Sequence, residues 1–267
     1  MWTEPGTDDA SRIDLPGGPA AYAFFLDIDG TLVDIADTPG RVSVEPRLLD
    51  TVRRLHAAAG GALALISGRS VAGVDRLFAP LRLPIAGQHG AERRDARGAV
   101  VPADSLRAAQ FGALRRCVAA WAEAVPGVLL EDKGMSLAVH YRQAPHLGGA
   151  VQQALRECLE RFGDEFRLQP GKMVLEVKPA GKDKGTAIME FMQEAPFAGR
   201  IPVFVGDDIS DEHGFAVVNS LRGHSVKVGP GPPDARWRMP DVATVRRWLR
   251  ALAEGPARPR DAAREGT

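Results

Sequence analysis

The feature that most constrains the fold is an uninterrupted apolar run over residues 21–26 that ends abruptly in Asp27-Ile28-Asp29-Gly30-Thr31. A strand that is apolar at every position, and not at alternate ones, has to be covered on both faces. That is the habit of parallel sheets flanked by helices. The pattern repeats downstream. Leu48, Leu49, Val52 and Leu55 give helical spacing over 46–59, a second buried strand is expected over 62–66, and a helix over 70–78 follows Ser67-Gly68-Arg69. A short strand at 84–86 stops at Gly87. Strand, helix and strand in this rhythm imply a parallel sheet with right-handed crossovers.

The texture then changes. A helix is expected over 106–125, strands over 128–131 and 136–141, a helix over 147–162, and strands over 166–169 and 173–177. Helix–strand–strand, written twice, predicts a small α+β domain with an antiparallel sheet. The α/β rhythm resumes after Pro179, with helices expected over 184–192, 211–218 and 242–252 and strands over 201–205 and 225–228. The expected organisation is an α/β core, 20–105 with 179–254, interrupted by an inserted α+β domain over 106–178. Residues 1–19 and 255–267, rich in Gly, Pro and charge, are expected to be disordered.

Ligands of open parallel sheets bind at the carboxyl ends of the strands, and the polar clusters fall there. Asp27 and Asp29 suit a divided task, one attacking and one moving protons. Gly206-Asp207-Asp208 with Asp211 and Glu212 follows another expected strand, and hard oxygens from two strand ends describe a magnesium site. Helix capping is the competing reading for Asp208, Ser210 and Asp211. Ser67 offers a hydroxyl beside a helix start. Lys184 opens a helix, against the macrodipole, which suits a cation employed on phosphate or on carboxylates. Residues 181–186 lack the spacing of a P-loop.

The chain has 267 residues and a formal net charge of zero, so no global field favours nucleic acid or membrane, and an anionic substrate needs local cations. The apolar runs are too short to span a bilayer, and no leader is visible, so a cytoplasmic location is expected. Cys117 and Cys158, on separate helix-like stretches, are expected to be reduced structural thiols.

Taken in order, Asp27-x-Asp29-Gly30-Thr31, Ser67, Lys184 and Gly206-Asp207-Asp208-x-x-Asp211 resemble the haloacid dehalogenase superfamily. The resemblance implies a Rossmannoid α/β core with a parallel sheet and an inserted α+β cap domain. It implies Asp27 as the nucleophile that becomes phosphorylated, Asp29 as general acid and base, and Ser67 and Lys184 as holders of the phosphoryl group. Magnesium would be held by Asp27, the Asp29 carbonyl and Asp207, with Asp208 and Asp211 as further candidates. Further stretches are similar to trehalose-6-phosphate phosphatases of the bacterial stand-alone kind. They are Ser67-Gly68-Arg69, Gly87-Gln88-His89-Gly90-Ala91-Glu92, Glu131-Asp132-Lys133-Gly134, His140-Tyr141-Arg142, and Gly171-Lys172 with Glu176. The implied reaction is magnesium-dependent hydrolysis of trehalose 6-phosphate.

A disaccharide phosphate is recognised by charged groups on rigid strands. Glu131, Lys133, Arg142, Lys172 and Glu176, with Arg69 and His89, are the candidates for that role. The competing reading for the first five is an exposed strand face or a cross-strand ion pair, for His89 a structural histidine, and for Arg69 a surface arginine. Lys182, beside Lys184, is expected to be solvated. A small-molecule sugar phosphate is the expected partner, with no nucleic acid or membrane, and a monomer is compatible with the sequence. The rival readings are a phosphatase for another sugar phosphate, a receiver-like signalling domain, and a catalytically dead sugar-phosphate sensor.

Overall fold

The computed structural model describes residues 13, 15–35, 42–101, 105–171, 173–231 and 234–255. In chain order the elements are β1 (Tyr22–Leu26), α1 (Pro46–Ala58), β2 (Leu63–Ile66), α2 (Val71–Leu77), β3 (Ile85–Gly87), β4 (Glu92–Arg94) and β5 (Val100–Val101). Then come α3 (Ser105–Glu123), β6 (Leu129–Asp132), β7 (Leu137–His140), α4 (Gly148–Leu159), β8 (Phe166–Gly171) and β9 (Val174–Pro179). The chain continues through α5 (Lys184–Met192), β10 (Ile201–Gly206), α6 (Glu212–Ser220), β11 (His224–Val228), β12 (Trp237–Met239) and α7 (Val242–Glu254).

Hydrogen bonds order the larger sheet β12-β11-β10-β1-β2-β3-β4-β5 and a separate sheet β6-β7-β9-β8. The chain divides into two compact units, one running through Ala64 and resuming at Phe191, the other Leu65–Glu190, with the boundary inside β2. In the first unit β1 runs parallel to β10 with Phe25 opposite Phe204, and β10, β11 and β12 continue parallel. Every residue of β1 is buried, as the unbroken apolar run requires. Phe25 stacks on Phe197 with ring centroids 5.5 Å apart, a pair worth about 0.5–1.5 kcal/mol beyond its buried area. The start of α7 is fixed by Asp241, whose Oδ1 accepts from the Thr244 amide at 2.7 Å.

In the second unit β2 and β3 are parallel, then β3, β4 and β5 turn antiparallel. The β6-β7-β9-β8 sheet is antiparallel throughout. A core of Phe111, Leu114, Val118, Leu137, Val139, Val151, Leu155, Phe166 and Val177 packs α3 and α4 against it. The fold class is the expected one, a mixed α/β chain with a mostly parallel sheet and a separate antiparallel α+β sheet.

Three expectations need correction. Strands β4, β5 and β12 were not anticipated. Cys117 and Cys158 are not free thiols: α3 and α4 bring their Cα atoms to 6.0 Å and they form a disulfide. Adjacent helices over one sheet put the two sulfurs face to face, which separate helix assignments in the sequence do not reveal. Part of the N-terminal stretch read as disordered is packed. Ile13 and Leu15 are buried, Trp248 Nε1 donates to the Ile13 carbonyl at 3.3 Å, and Tyr22 Oη donates to the Pro16 carbonyl at 3.0 Å. Residues 1–12, 14 and 256–267 of the two tails lie outside the described residues. Among the described residues no helix is long and apolar enough to cross a membrane.

Candidate active site

Asp27 is the first residue beyond β1, and its amide still donates to the Val205 carbonyl at 3.0 Å. The side chain is 4% exposed. The backbone then doubles back tightly, with the Leu32 and Val33 amides donating to the Ile28 carbonyl and the Gly30 amide to the Val33 carbonyl. Gly30 holds this turn at φ +83°, and a Cβ there would fall 2.1 Å from Asp207 Oδ2. Only glycine meets both conditions. Asp29, half-buried, bridges to Val33.

At the end of β10 the Asp211 carboxylate is fully buried, and its Oδ2 accepts from the amides of Asp207 at 2.9 Å and Asp208 at 3.0 Å. Gly206 admits this folding back, since a Cβ there would sit 2.3 Å from Asp211 Cγ. Thr31 Oγ1 donates to Asp207 Oδ1 at 3.2 Å. One carboxylate oxygen from each of Asp27, Asp207 and Asp211 lies within 4.8 Å of the others. Three like charges this close repel unless a cation is shared among them. Hard oxygen donors of this kind fit a small divalent cation. Asp208 is engaged elsewhere: its Oδ1 accepts from the Ser210 amide at 2.8 Å and the Ser210 hydroxyl at 2.6 Å, and it caps the turn leading into α6.

In the second unit Ser67 is 1% exposed, and its Oγ accepts from the Arg69 amide at 3.1 Å. Arg69 precedes α2 and does not lie within it, because Ser70 is the N-cap, accepting from Gly73 N. The His89 amide donates to the Ser67 carbonyl at 2.9 Å, and a Cβ on Gly68 would sit 2.8 Å from His89 Nε2. Lys184, 3% exposed, opens α5. Ahead of it Asp183 and Thr186 form a reciprocal cap, with the Thr186 amide on Asp183 Oδ1 at 2.8 Å and the Asp183 amide on Thr186 Oγ1 at 3.0 Å. Gly90 lies against this start, where a Cβ would come 2.9 Å from the Asp183 carbonyl. Lys182 is not simply solvated: its Nζ pairs with Glu190 Oε1 at 2.6 Å.

On the antiparallel sheet, Glu176 accepts from Ser136 Oγ at 2.9 Å and pairs with Lys133 Nζ at 3.4 Å. Burial alone would raise the Glu176 carboxyl. The Lys133 ammonium, the Ser136 hydroxyl and His89 outweigh it and hold the group below its ordinary range. Glu131 pairs with His140 at 2.9 Å on an exposed strand face, and Arg142 is exposed in the turn beyond β7. Lys172 lies outside the described residues. The second unit thus brings Ser67, Arg69, His89 and Lys184 onto neighbouring loops, with Lys133 and Glu176 joined by their ion pair.

Two buried residues were given no role in the sequence. Lys227, 6% exposed and opposite Gly206 in the β10–β11 register, donates to the carbonyls of Asp207 and of Val228. It fixes the backbone of the acidic loop. A cation inside an apolar strand, here between Val226 and Val228, was the available signal. The second is Gln88, 5% exposed in the loop after β3.

A family model described as Trehalose-phosphatase matches residues 25–237. The chain is 46% identical over 253 residues to the trehalose-6-phosphate phosphatase of Escherichia coli (strain K12), across 94% of this chain and 91% of that one. It is 44% identical over 234 residues to a probable trehalose-phosphate phosphatase of Sinorhizobium fredii (strain NBRC 101917 / NGR234), with 87% and 88% covered. The solved structure of a trehalose-6-phosphate phosphatase related protein superposes with a TM-score of 0.71 at 26% identity, over 86% of this chain and 96% of that one. A phosphatase of the haloalkanoate (HAD) enzyme superfamily from Bacteroides thetaiotaomicron shares the fold, with a TM-score of 0.62 at 14% identity over 90% and 98% of the two chains. The family match opens within β1, just ahead of Asp27, and runs to β12, so it takes in the acidic loops, Ser67, Lys184 and the antiparallel sheet together. The chain belongs to the trehalose-phosphatase family.

Proposed function

We propose that the chain hydrolyses trehalose 6-phosphate to trehalose and inorganic phosphate, in a magnesium-dependent reaction that passes through an aspartyl-phosphate on Asp27. The observation that carries this reading is the buried Asp27 carboxylate at the end of a central strand, within 4.8 Å of the Asp207 and Asp211 oxygens. Asp27 attacks phosphorus in line as the bond to the sugar C6 oxygen breaks, and Asp29 gives its proton to that oxygen. Asp29 then takes a proton from the water that attacks the aspartyl-phosphate, which releases phosphate and restores Asp27. Ser67 and Lys184 hold the phosphoryl oxygens, and Lys184 offsets their charge through the transfer. Magnesium, held by Asp27, the Asp29 carbonyl and Asp207 with Asp211 behind them, would neutralise charge on the phosphoryl group.

The sugar falls to Glu131, Lys133, Arg142, Lys172 and Glu176, with Arg69 and His89 beside the phosphate. Their directional hydrogen bonds would reject ligands that leave a partner unpaired. Residues 106–178 act in this reading as a cap that excludes bulk water. The setting expected for the reaction is the cytoplasm. The Cys117–Cys158 disulfide is the feature that weighs against a strongly reducing one.

The test is phosphate release from trehalose 6-phosphate, sucrose 6-phosphate, glucose 6-phosphate and an aryl phosphate, with and without Mg²⁺. A magnesium-dependent preference for trehalose 6-phosphate supports the whole reading. Preference for another sugar phosphate keeps Asp27 and removes the sugar assignments. No release from any substrate removes both.

A further inference from the structure

The loop after β3 carries a side chain for which the reaction above has no use. Gln88 is a non-glycine residue at φ +47°, followed by His89 at φ +56°. That conformation is unfavourable for a residue bearing a Cβ and persists only where the surroundings hold it. Both ends of the Gln88 amide are engaged. Oε1 accepts from the Met135 amide at 2.5 Å, and Nε2 donates to Glu92 Oε1 at 2.7 Å. The partners fix which end is which, because a backbone N–H only donates and a carboxylate only accepts. The other Glu92 oxygen accepts from the Val71 amide at 2.8 Å, at the first residue of α2. One continuous line of hydrogen bonds therefore runs from the start of α2 through Glu92 and Gln88 to Met135.

Met135 sits in the turn between β6 and β7, closed by the Lys133 amide on the Ser136 carbonyl at 3.0 Å. The turn is shaped to receive Gln88: Gly134 stands at φ +98°, where a Cβ would fall 2.7 Å from Gln88 Nε2. Its other restraints, Asp132 on the Gly134 amide and Arg115 on the Gly134 carbonyl, tie it to its own sheet and helix. The Gln88 amide ties it to the loop that also holds His89. The same turn presents Lys133 and Ser136, the two groups that engage Glu176.

We propose that Gln88 is a specificity-determining positioning residue, whose amide sets the Lys133–Ser136 turn, and through it Glu176, in the arrangement that receives the hydroxyl-rich sugar remote from the phosphate. This rests on the functional reading above. Gln88 touches neither the phosphoryl group nor the acidic loops in this scheme, so its loss weakens sugar binding without slowing the chemical step.

The experiment compares the full chain with Gln88→Met, which keeps the length and the backbone strain and removes both hydrogen bonds. Hydrogen exchange at the Met135 amide, and kcat and KM for trehalose 6-phosphate, are measured on each. The expected result is exchange at Met135 faster by about tenfold and KM raised by about tenfold, with kcat changed by less than about twofold. Unchanged exchange overturns the latch, and unchanged KM alongside faster exchange overturns its role in recognition. Equal loss of kcat and kcat/KM overturns it as well, since that marks an effect on the transition state. If Gln88→Met does not fold, Gln88→Asn is read in the same way. Asn tolerates the left-handed backbone and keeps the amide, but falls one methylene short of Met135 and Glu92. A wild-type chain that releases no phosphate from trehalose 6-phosphate overturns the functional reading, and this one with it, whatever the exchange at Met135.

Discussion

The Thr31 hydroxyl donates to Asp207 Oδ1 at 3.2 Å and joins the loop after β1 to the loop after β10 across 176 residues. Thr31 is fully buried, so nothing else in solution replaces that hydrogen bond. In Thr31→Val the shape is kept and the donor lost, leaving the Asp207 carboxylate less firmly oriented. The expected outcome is a five- to tenfold rise in the Mg²⁺ concentration giving half-maximal phosphate release, about 1 kcal/mol in binding terms. Magnesium titration of the initial rate checks it.

Asp27→Asn removes the attacking oxygen and one of three crowded negative charges. Phosphate release is expected to fall by at least about a thousandfold. The thermal midpoint without magnesium is expected to hold or rise, because like-charge repulsion in the cluster is relieved. The added stability that Mg²⁺ confers is expected to shrink. Differential scanning calorimetry with and without the ion, beside a phosphate assay, separates these outcomes; substantial residual turnover would remove Asp27 from the nucleophile's role.

Glu176 gives a pH dependence with a defined sign. Its folded-state pKa lies below the ordinary 4.5, with Lys133, Ser136 and His89 outweighing the effect of burial. A depressed carboxyl contributes stability that is complete above 4.5 and is lost as pH falls through the lower folded value. Glu176→Gln is therefore expected to be less stable than wild type at neutral pH and to lose less stability on acidification below 4.5. Parallel midpoint curves for the two proteins would contradict this.

The Cys117–Cys158 disulfide spans a sequence separation of 41 residues. Closing a loop of that length in the unfolded chain corresponds to roughly 3–4 kcal/mol in the chain-entropy account. Urea denaturation with and without dithiothreitol is expected to show a shift of that order. The Cys117→Ser/Cys158→Ser double variant should match the reduced protein. Two titratable thiols in the unreduced, unfolded chain would show that no bond forms.

Where burial is continuous, the sequence spoke clearly. The run ending at Asp27 marked β1, and α5 was anticipated to the residue because Lys184 opens an uninterrupted helical pattern before the Pro196 region. The strands that were missed carry charge for structural reasons. Glu92-Arg93-Arg94 reads as a loop, yet Arg94 is 3% exposed because Asp75 takes its guanidinium with two contacts of 2.7 Å. The acidic candidates Asp27, Asp207 and Asp211 do come together, while Asp208 serves its own turn. The disulfide and the Gln88 amide were illegible for a common reason: each depends on which faces of distant elements meet, and no local pattern encodes that. Positive φ at Gln88 and His89 leaves no trace in residue type either.

The division of the chain inside β2 bears on how a ribosome delivers this protein. Leu65–Glu190 is one contiguous stretch, so its sheet and helices can be assembled as they emerge. The other unit is made in two instalments. Thr31 leaves the ribosome long before Asp207, and at about 5–20 residues per second a gap of 176 residues lasts roughly 10–35 s. Throughout that interval β1, apolar at every position, has no β10 beside it. The nascent chain therefore pairs β1 with β2 alone and leaves its other edge open until β10 is made, and the acidic centre is completed only once Asp207 and Asp211 have been added.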